Sequence, residues 1–289
     1  IGLYLQGVNA DKRFNVEIDE IDACPVQIQG PKSLALMQDL VGDQADVANM
    51  PFYGLAEVTV GGRSCVISQT GFSGEAGFEI YLRDATLYAD DMWDAVLEAG
   101  KKHNLMVIAP AHHRRIQAGI LSWGQDLDHE HNPFQCNLGY QVSLSGKGEW
   151  EKKADYIGKD ALEKMKAELA DGKKPYKLQL VGFELGGKPI DEYAPDFWLV
   201  SPEDGGDPCG FITSPWYHPE KGKNIAMGYI PFDGTLNANG FPKWELGKKF
   251  KVHLPDIYAE NPGEPVDAIT VEVPFTESHN ANTREVVKG

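Results

Sequence analysis

The chain lacks the features that mark several large classes of protein. No apolar run approaches the roughly 18 residues that a membrane-spanning helix needs. Only four cysteines occur in 289 residues, without a CxxC pair, so neither a zinc site nor a disulfide framework is predicted. Positive charge is also scarce, because 27 Lys and Arg against 43 Asp and Glu leave a net charge of −16. We therefore expect a cytoplasmic protein that binds neither membranes nor nucleic acid.

Several catalytic motifs are missing as well. The sequence has no GxxxxGK[ST], no GxGxxG after a strand, no GxSxG and no HExxH. Phosphoryl transfer, hydride transfer and serine hydrolysis therefore lose support. The histidines at 112–113 and 129–131 lie in polar stretches, where solvated histidine is the commoner outcome, so no metal site is predicted.

The first 174 residues show a mixed α and β pattern. A strand is predicted at 26–29, a hairpin turn at Gly61-Gly62, and a further strand in "GFEIYL". Helices are predicted after Pro31, after a capping Asp84, in "RRIQAGILSWG" and in "GKDALEKMKAELADG". The helix after Asp84 should bury residues at helical spacing, namely Leu87, Met92, Val96 and Ala99.

The pattern changes near Lys174. Short apolar runs divided by Gly, Pro, Asn and Asp follow, which predicts a small antiparallel barrel or sandwich. The expected fold class is α+β, with one domain over 1–174 and a C-terminal β-barrel domain over 175–289.

A carboxylate inside a strand raises a question of function. Glu79 lies among Phe78, Ile80, Tyr81 and Leu82 in "SQTGFSGEAGFEIYL". A strand glutamate that faces a core must find hydrogen-bond donors or stay protonated. A ligand with paired N–H groups would satisfy it, whereas a solvent-facing strand edge would need no ligand.

An ordered set of motifs resembles the aminomethyltransferase family, which includes the T-protein of the glycine cleavage system and tetrahydrofolate-dependent demethylases. The set comprises "TGFSGEAGFEIYL", the segment from Arg115 to Asp128, the helix start from Tyr156 to Leu162, and "TSPWYHPEKGKNIAMGY". The resemblance covers almost the whole chain in family order. It implies a folate-binding mixed α/β domain of the T-protein type, followed by the barrel.

Two departures favour the demethylase branch, typified by dimethylsulfoniopropionate demethylase. T-proteins usually carry Thr-Pro-x-Glu where this chain has "NPFQ" at 132–135, and an additional arginine at the position of Ala111. The resemblance then implies transfer of a methyl group from a small sulfonium or methoxy donor to N5 of tetrahydrofolate. The alternatives are aminomethyl transfer from a lipoyl carrier, the folate portion of a sarcosine- or dimethylglycine-oxidising enzyme, and a folate-binding module without activity.

The resemblance also implies site residues. Glu79 is expected to accept two parallel hydrogen bonds from the pterin, and Arg115 is expected near the folate or its substrate, with a surface ion pair to Asp126 or Asp128 as the alternative. Phe72, Tyr81 and Trp123 are candidates for stacking on flat rings, although core packing is the more frequent role. The family's catalytic aspartate belongs to a segment expected before Ile1, so the catalytic residues are left unassigned. The oligomeric state also stays open.

Overall fold

The structure is a computed structural model that describes residues 1–109, 112–142, 144 and 156–276. These residues form two compact units, one from Ile1 to Ala109 and one over the described residues from 112 to 276. No helix in the described ranges is long and apolar enough to cross a bilayer.

The first unit contains a four-stranded antiparallel sheet and two packed helices. Its elements are α1 (Gly2–Val8), β1 (Ala23–Gln29), α2 (Ser33–Val41), β2 (Leu55–Val60), β3 (Arg63–Ser68), β4 (Gly77–Arg83) and α3 (Ala85–Gly100). The strand order is β1-β4-β3-β2. The predicted strand at 26–29, the hairpin with its turn at Gly61-Gly62 and the strand in "GFEIYL" are confirmed.

One face of this sheet forms the core of the unit. Alternate strand residues are buried there with apolar side chains of α2 and α3, and the cluster includes Ile28, Ile67, Phe78, Ile80, Leu82, Met37, Met92 and Val96. Because successive strand residues point to opposite faces, the residues between them lie on the other side of the sheet.

Two details of α3 differ from the prediction. Asp84 precedes the helix but has a left-handed φ of 54°, and its side chain makes no capping hydrogen bond. The cap comes from Asp22, whose carboxylate accepts from the Thr86 backbone N–H and hydroxyl at 3.0–3.1 Å. Leu87 is 72% exposed rather than buried, because it lies on the side of α3 away from the sheet.

The second unit is built around a closed six-stranded barrel. Its elements are α4 (His112–Gln117), α5 (Lys159–Ala170), β5 (Leu178–Leu185), β6 (Trp198–Pro202), β7 (Gly210–His218), β8 (Lys223–Pro231), β9 (Lys249–Val252) and β10 (Val266–Val271). The order around the barrel is β10-β5-β8-β7-β6-β9, and all pairs are antiparallel. The barrel prediction is confirmed, and the α5 prediction with it.

The helix predicted in "RRIQAGILSWG" is shorter than expected. It ends at Gln117 because Gly119 adopts a φ of 67°, and the N–H groups of Gly119 and Ile120 bond back to the carbonyls of Ile116 and Arg115. Ile116 then packs in one apolar cluster with Met227 and Tyr229 of β8.

The packing of Ile116 against β8 agrees with the boundary between the two compact units, which lies before α4. Lys174 lies just before the first barrel strand, as expected, but the described residues from 112 to 142 belong to the same compact unit as the barrel. The family domain limit at Lys174 stays a prediction.

Candidate functional site

The face of the first unit's sheet that lies opposite the core is polar, and we call it the polar face. It is defined by Gln27 and Gln29 of β1, Ser68 of β3, and Glu79 and Tyr81 of β4. These residues alternate with the core residues along each strand, so the same period of two creates the core and the polar face.

Glu79 is half-buried on this face and does not point into the apolar core. Its Oε2 accepts hydrogen bonds from the Thr70 and Tyr81 hydroxyls, the latter at 3.0 Å. Its Oε1 has no hydrogen-bond partner among the residues that the structure describes. Two donors therefore orient the carboxylate through one oxygen, and the other oxygen keeps both lone pairs for a further donor.

Two glutamines attach the loop at 69–76 to the polar face. Gln29 Nε2 donates to the carbonyls of Thr70 and Phe78 at 3.2 and 3.3 Å, and its Oε1 accepts from the Ser73 hydroxyl at 2.6 Å. Gln27 Oε1 accepts from the Phe72 backbone N–H at 3.2 Å. The loop that carries Thr70 is therefore fixed from both β1 and β4.

Tyr81 and Phe72 differ in their contacts on this face. Burial, and then the neighbouring Glu79 carboxylate, raises the pKa of Tyr81, so its hydroxyl stays protonated and donates to Glu79. Phe72 is 39% exposed and adjoins the polar face through its backbone bond to Gln27. The predicted stacking roles of both rings stay predictions.

Arg115, predicted as a ligand-binding residue, is buried in the second unit with 1% exposure. Its donors bond to five acceptors at 2.7–3.4 Å, which are Asp126 Oδ2, the Ile120 carbonyl, Gln125 Oε1, Ser214 Oγ and His112 Nδ1. A guanidinium has five N–H groups, so each of them has a partner inside the protein. The ion pair with Asp126 that the sequence left open is present, although it is buried and not on the surface.

Asp126 completes this network. Its Oδ2 also accepts from the Ser122 N–H, and its Oδ1 accepts from the hydroxyls of Thr213 and Ser214, both at 2.6 Å. The Tyr229 hydroxyl donates to its backbone carbonyl at 2.6 Å. By contrast, the neighbouring Asp128 is only partly buried and bonds to His131.

Trp123 lies in the turn between Arg115 and Asp126 and is 64% exposed. Within the described part of the chain its ring makes no aromatic contact, so it is accessible for stacking, and that role stays a prediction. Arg115 and Trp123 belong to the second unit, whereas Glu79, Tyr81 and Phe72 belong to the first.

Two of the histidines considered as metal ligands, His112 and His113, pack against aromatic rings. His112 packs on Tyr193 and His113 on Trp216, with ring centroids 4.6 and 5.8 Å apart, and burial lowers the pKa of both. Among the described residues, no group of three or more His, Cys, Asp or Glu side chains could hold a metal ion.

Comparison with known proteins identifies the family to which the first part of the chain is similar. Residues 4–146 match the family model of the GCVT N-terminal domain. The chain belongs to the GCVT aminomethyltransferase family. Within the GCVT match lie the polar face, the loop at 69–76 and the Arg115–Asp126 pair.

Relatives of two kinds are similar to this GCVT chain. An aminomethyltransferase from Alkaliphilus oremlandii is 31% identical over 83% of this chain and 63% of its own length. The dimethylsulfoniopropionate demethylase DmdA from Ruegeria pomeroyi is 30% identical over 86% of this chain and 60% of its own length. The chain thus spans less than two thirds of these relatives.

A solved structure supports the fold. The glycine cleavage system aminomethyltransferase T from Bartonella henselae superposes with a TM-score of 0.66, covering 95% of this chain and 66% of that one, at 19% identity. At this identity the likeness concerns the fold alone. The expected T-protein fold with a C-terminal barrel is therefore confirmed.

Sequence reasoning missed several residues of the polar face and of the Arg115 network. Gln27 and Gln29 alternate with Val26 and Ile28 in "VQIQG", and this period of two could have indicated a polar sheet face. No local pattern links Thr70 to Glu79 or Ser214 to Arg115, because each pair is joined only by the folded chain. Ala111, where T-proteins carry arginine, lies outside the described residues.

Proposed function

We propose that this chain is a tetrahydrofolate-dependent one-carbon transferase that removes a methyl group from a small methylated donor. Membership of the GCVT family supports transfer to folate. The observation that carries the proposal is the oriented Glu79 carboxylate, whose Oε1 has no hydrogen-bond partner in the described part of the chain. When bound, tetrahydrofolate supplies the amine N5 that takes up the one-carbon unit.

The residues of the polar face fit a reduced pterin. A pterin presents a ring N–H beside an exocyclic amino group, and Oε1 of Glu79 has two lone pairs for these donors. Phe72 offers a half-exposed ring beside the same face, which suits a flat heterocycle. In this proposal Glu79 binds the pterin, Thr70 and Tyr81 orient Glu79, and Phe72 excludes water from the ring.

Arg115 and Trp123 have different roles in the proposal. Because each Arg115 N–H already has a protein acceptor, a ligand carboxylate would have to displace one of them. Arg115 therefore positions the turn at 120–128, and Trp123, exposed on that turn, stays a candidate for stacking on a flat ring.

The charge of the first unit supports a small donor over an acidic carrier protein. Its basic side chains are largely paired with carboxylates, namely Arg63 with Asp91, Arg83 with Glu57, Lys101 with Glu98 and Lys102 with Asp39. Paired cations leave little positive surface with which to dock an acidic domain. The relative named dimethylsulfoniopropionate demethylase supports a sulfonium compound as the class of donor.

Aminomethyl transfer is the second candidate function. Relatives named aminomethyltransferase match this chain at 29–33% identity, the same level as the demethylase relative at 30%. The two candidates share the folate site and differ in the donor. A folate-binding experiment therefore tests the site that both candidate functions share. A screen of donors distinguishes demethylation from aminomethyl transfer.

Anaerobic calorimetric titration with tetrahydrofolate tests the folate site. Glu79→Gln replaces one carboxylate oxygen with an amide donor, and we expect at least a tenfold loss of affinity. Glu57→Gln is the matched control, since Glu57 lies on β2 and pairs with the exposed Arg83, and it should bind as the unmodified chain does. Lack of tetrahydrofolate binding to the unmodified chain would overturn the proposal.

The donor screen detects the folate product. We expect 5-methyltetrahydrofolate from dimethylsulfoniopropionate or from a methoxy compound. Formation of 5,10-methylenetetrahydrofolate from an aminomethylated lipoyl carrier, and from no methylated donor, would establish the second candidate. Tight folate binding without turnover of either donor class would instead indicate a binding module.

A further inference from the structure

Gln27 is the direct neighbour of Glu79 on the polar face. The register of β1 and β4 places the two residues opposite each other. Side chains paired in this way have Cβ atoms about 4.5–5.5 Å apart and point to the same side of the sheet. A ligand that reaches the Glu79 carboxylate therefore also reaches the Gln27 side chain.

The amide of Gln27 has a defined orientation. Its acceptor for the Phe72 N–H must be the oxygen, because a backbone N–H can only donate. The NH2 group is therefore the free end, and it has no partner among the described residues. Gln27 is exposed, so this donor is open to a ligand.

Together the two side chains present an acceptor beside a donor. The edge of a pterin reads 2-amino, N3–H and 4-oxo, which is donor, donor and acceptor. Glu79 Oε1 complements the first two groups, and Gln27 Nε2 complements the third. A 4-amino pterin would place a donor, and not an acceptor, opposite Gln27 Nε2. Binding free energy would then be lost, because both donors leave water without gaining a hydrogen bond.

We infer that Gln27 is a specificity-determining residue that donates a hydrogen bond to the oxygen at C4 of the pterin ring. This inference rests on the proposed folate function and adds a selection for 4-oxo over 4-amino pterins. Gln29 cannot take this part, since both ends of its amide are bonded to the loop at 69–76 and to β4.

A purely structural role for Gln27 would be to hold the loop through Phe72. Such a role would affect every pterin equally, whereas the inferred role depends on the group at C4. Calorimetry with two ligands, tetrahydrofolate and 4-amino-4-deoxytetrahydrofolate, separates these readings.

Two variants test the donor, and the first of them leaves the acceptor of the Phe72 N–H in place. Gln27→Glu keeps an oxygen for the Phe72 N–H and replaces the NH2 donor with an acceptor. Gln27→Met removes both groups without adding charge. Gln44→Glu is the control, because it adds the same charge to a glutamine of the first unit that bonds only to the Thr59 backbone.

We expect Gln27→Met to weaken tetrahydrofolate binding about tenfold and to change binding of the 4-amino analogue less than twofold. Gln27→Glu should shift the ratio of the two affinities at least tenfold towards the analogue, and Gln44→Glu should leave that ratio unchanged. Equal losses for both ligands would overturn the inference and leave the folate site standing. No binding of tetrahydrofolate by the unmodified chain would overturn the proposed function itself.

Discussion

Arg115 and Asp126 form a fully buried ion pair, with 2.7 Å between Nη1 and Oδ2 and side-chain exposures of 1% and 0%. The pair joins α4 to the turn at 120–128, and Ser214 connects it to β7 of the barrel. Each charge is satisfied by further hydrogen bonds, which is the condition under which a buried ion pair is tolerated.

Asp126→Ala should destabilise the chain because it leaves a buried guanidinium without its counter-charge. We expect the free energy of unfolding in urea to fall by about 3–5 kcal/mol. The control is Lys249→Ala, which breaks the exposed pair with Glu203 and should cost about 1 kcal/mol or less. Equal losses for the two variants would show that the buried pair has no special role.

Substitutions of the two aspartates near the start of α3, Asp22 and Asp84, should affect the free energy of unfolding differently. Asp22→Ala removes the acceptor of the Thr86 N–H and should cost about 1 kcal/mol of unfolding free energy. Asp84→Gly should cost nothing or stabilise slightly, because a φ of 54° favours glycine and the Asp84 side chain makes no cap bond. Urea denaturation of both variants provides the comparison, and a larger loss for Asp84→Gly would contradict it.

Gly77 faces the amide of Gln29 at close range. A Cβ at this position would lie 2.5 Å from both Gln29 Nε2 and the Ile28 carbonyl oxygen. We expect Gly77→Ala to destabilise the chain by about 1–3 kcal/mol and to speed proteolysis within the loop at 69–76. Gly186→Ala is the control, since its Cβ would have no atom closer than 3.5 Å. Similar behaviour of the two variants would mean that Gln29 moves aside freely.

We expect His218 to contribute to the pH dependence of the free energy of unfolding. Burial lowers the pKa of His218 below its ordinary 6.5, and its Nε2 has no partner among the described residues. Below about pH 6.5 the unfolded chain therefore binds more protons at this histidine than the folded chain does. The contribution of the neutral His218 to the free energy of unfolding is fully present above that pH and is lost as the pH falls. The free energy of unfolding measured between pH 7.5 and 5.5 should fall less steeply in His218→Gln. An unchanged slope in that variant would assign the effect to other groups.

The strands and most helices could be predicted because their signals are local. Alternation in β1 and β4, the Gly61-Gly62 turn and the short runs after Lys174 each arise within a few residues. The limit of α4 at Gln117 was missed because an apolar period of 3.6 continues past Gly119, whose positive φ ends the helix. Leu87 was misplaced for a similar reason, since spacing alone does not show how far along a helix the sheet extends.

The sequence by itself determined the two kinds of architecture, the family, and the presence of a glutamate in an apolar strand, because these depend on patterns and motifs that neighbouring residues carry. Only the tertiary structure decided what that glutamate contacts, that Arg115 is buried, and that Asp22 and not Asp84 caps α3. The last two outcomes are contacts between segments far apart in the chain, since Arg115 and Ser214 are 99 positions apart and Asp22 and Thr86 are 64 positions apart. Strand register and packing bring such residues together, and no local propensity encodes which distant partner will meet a given side chain.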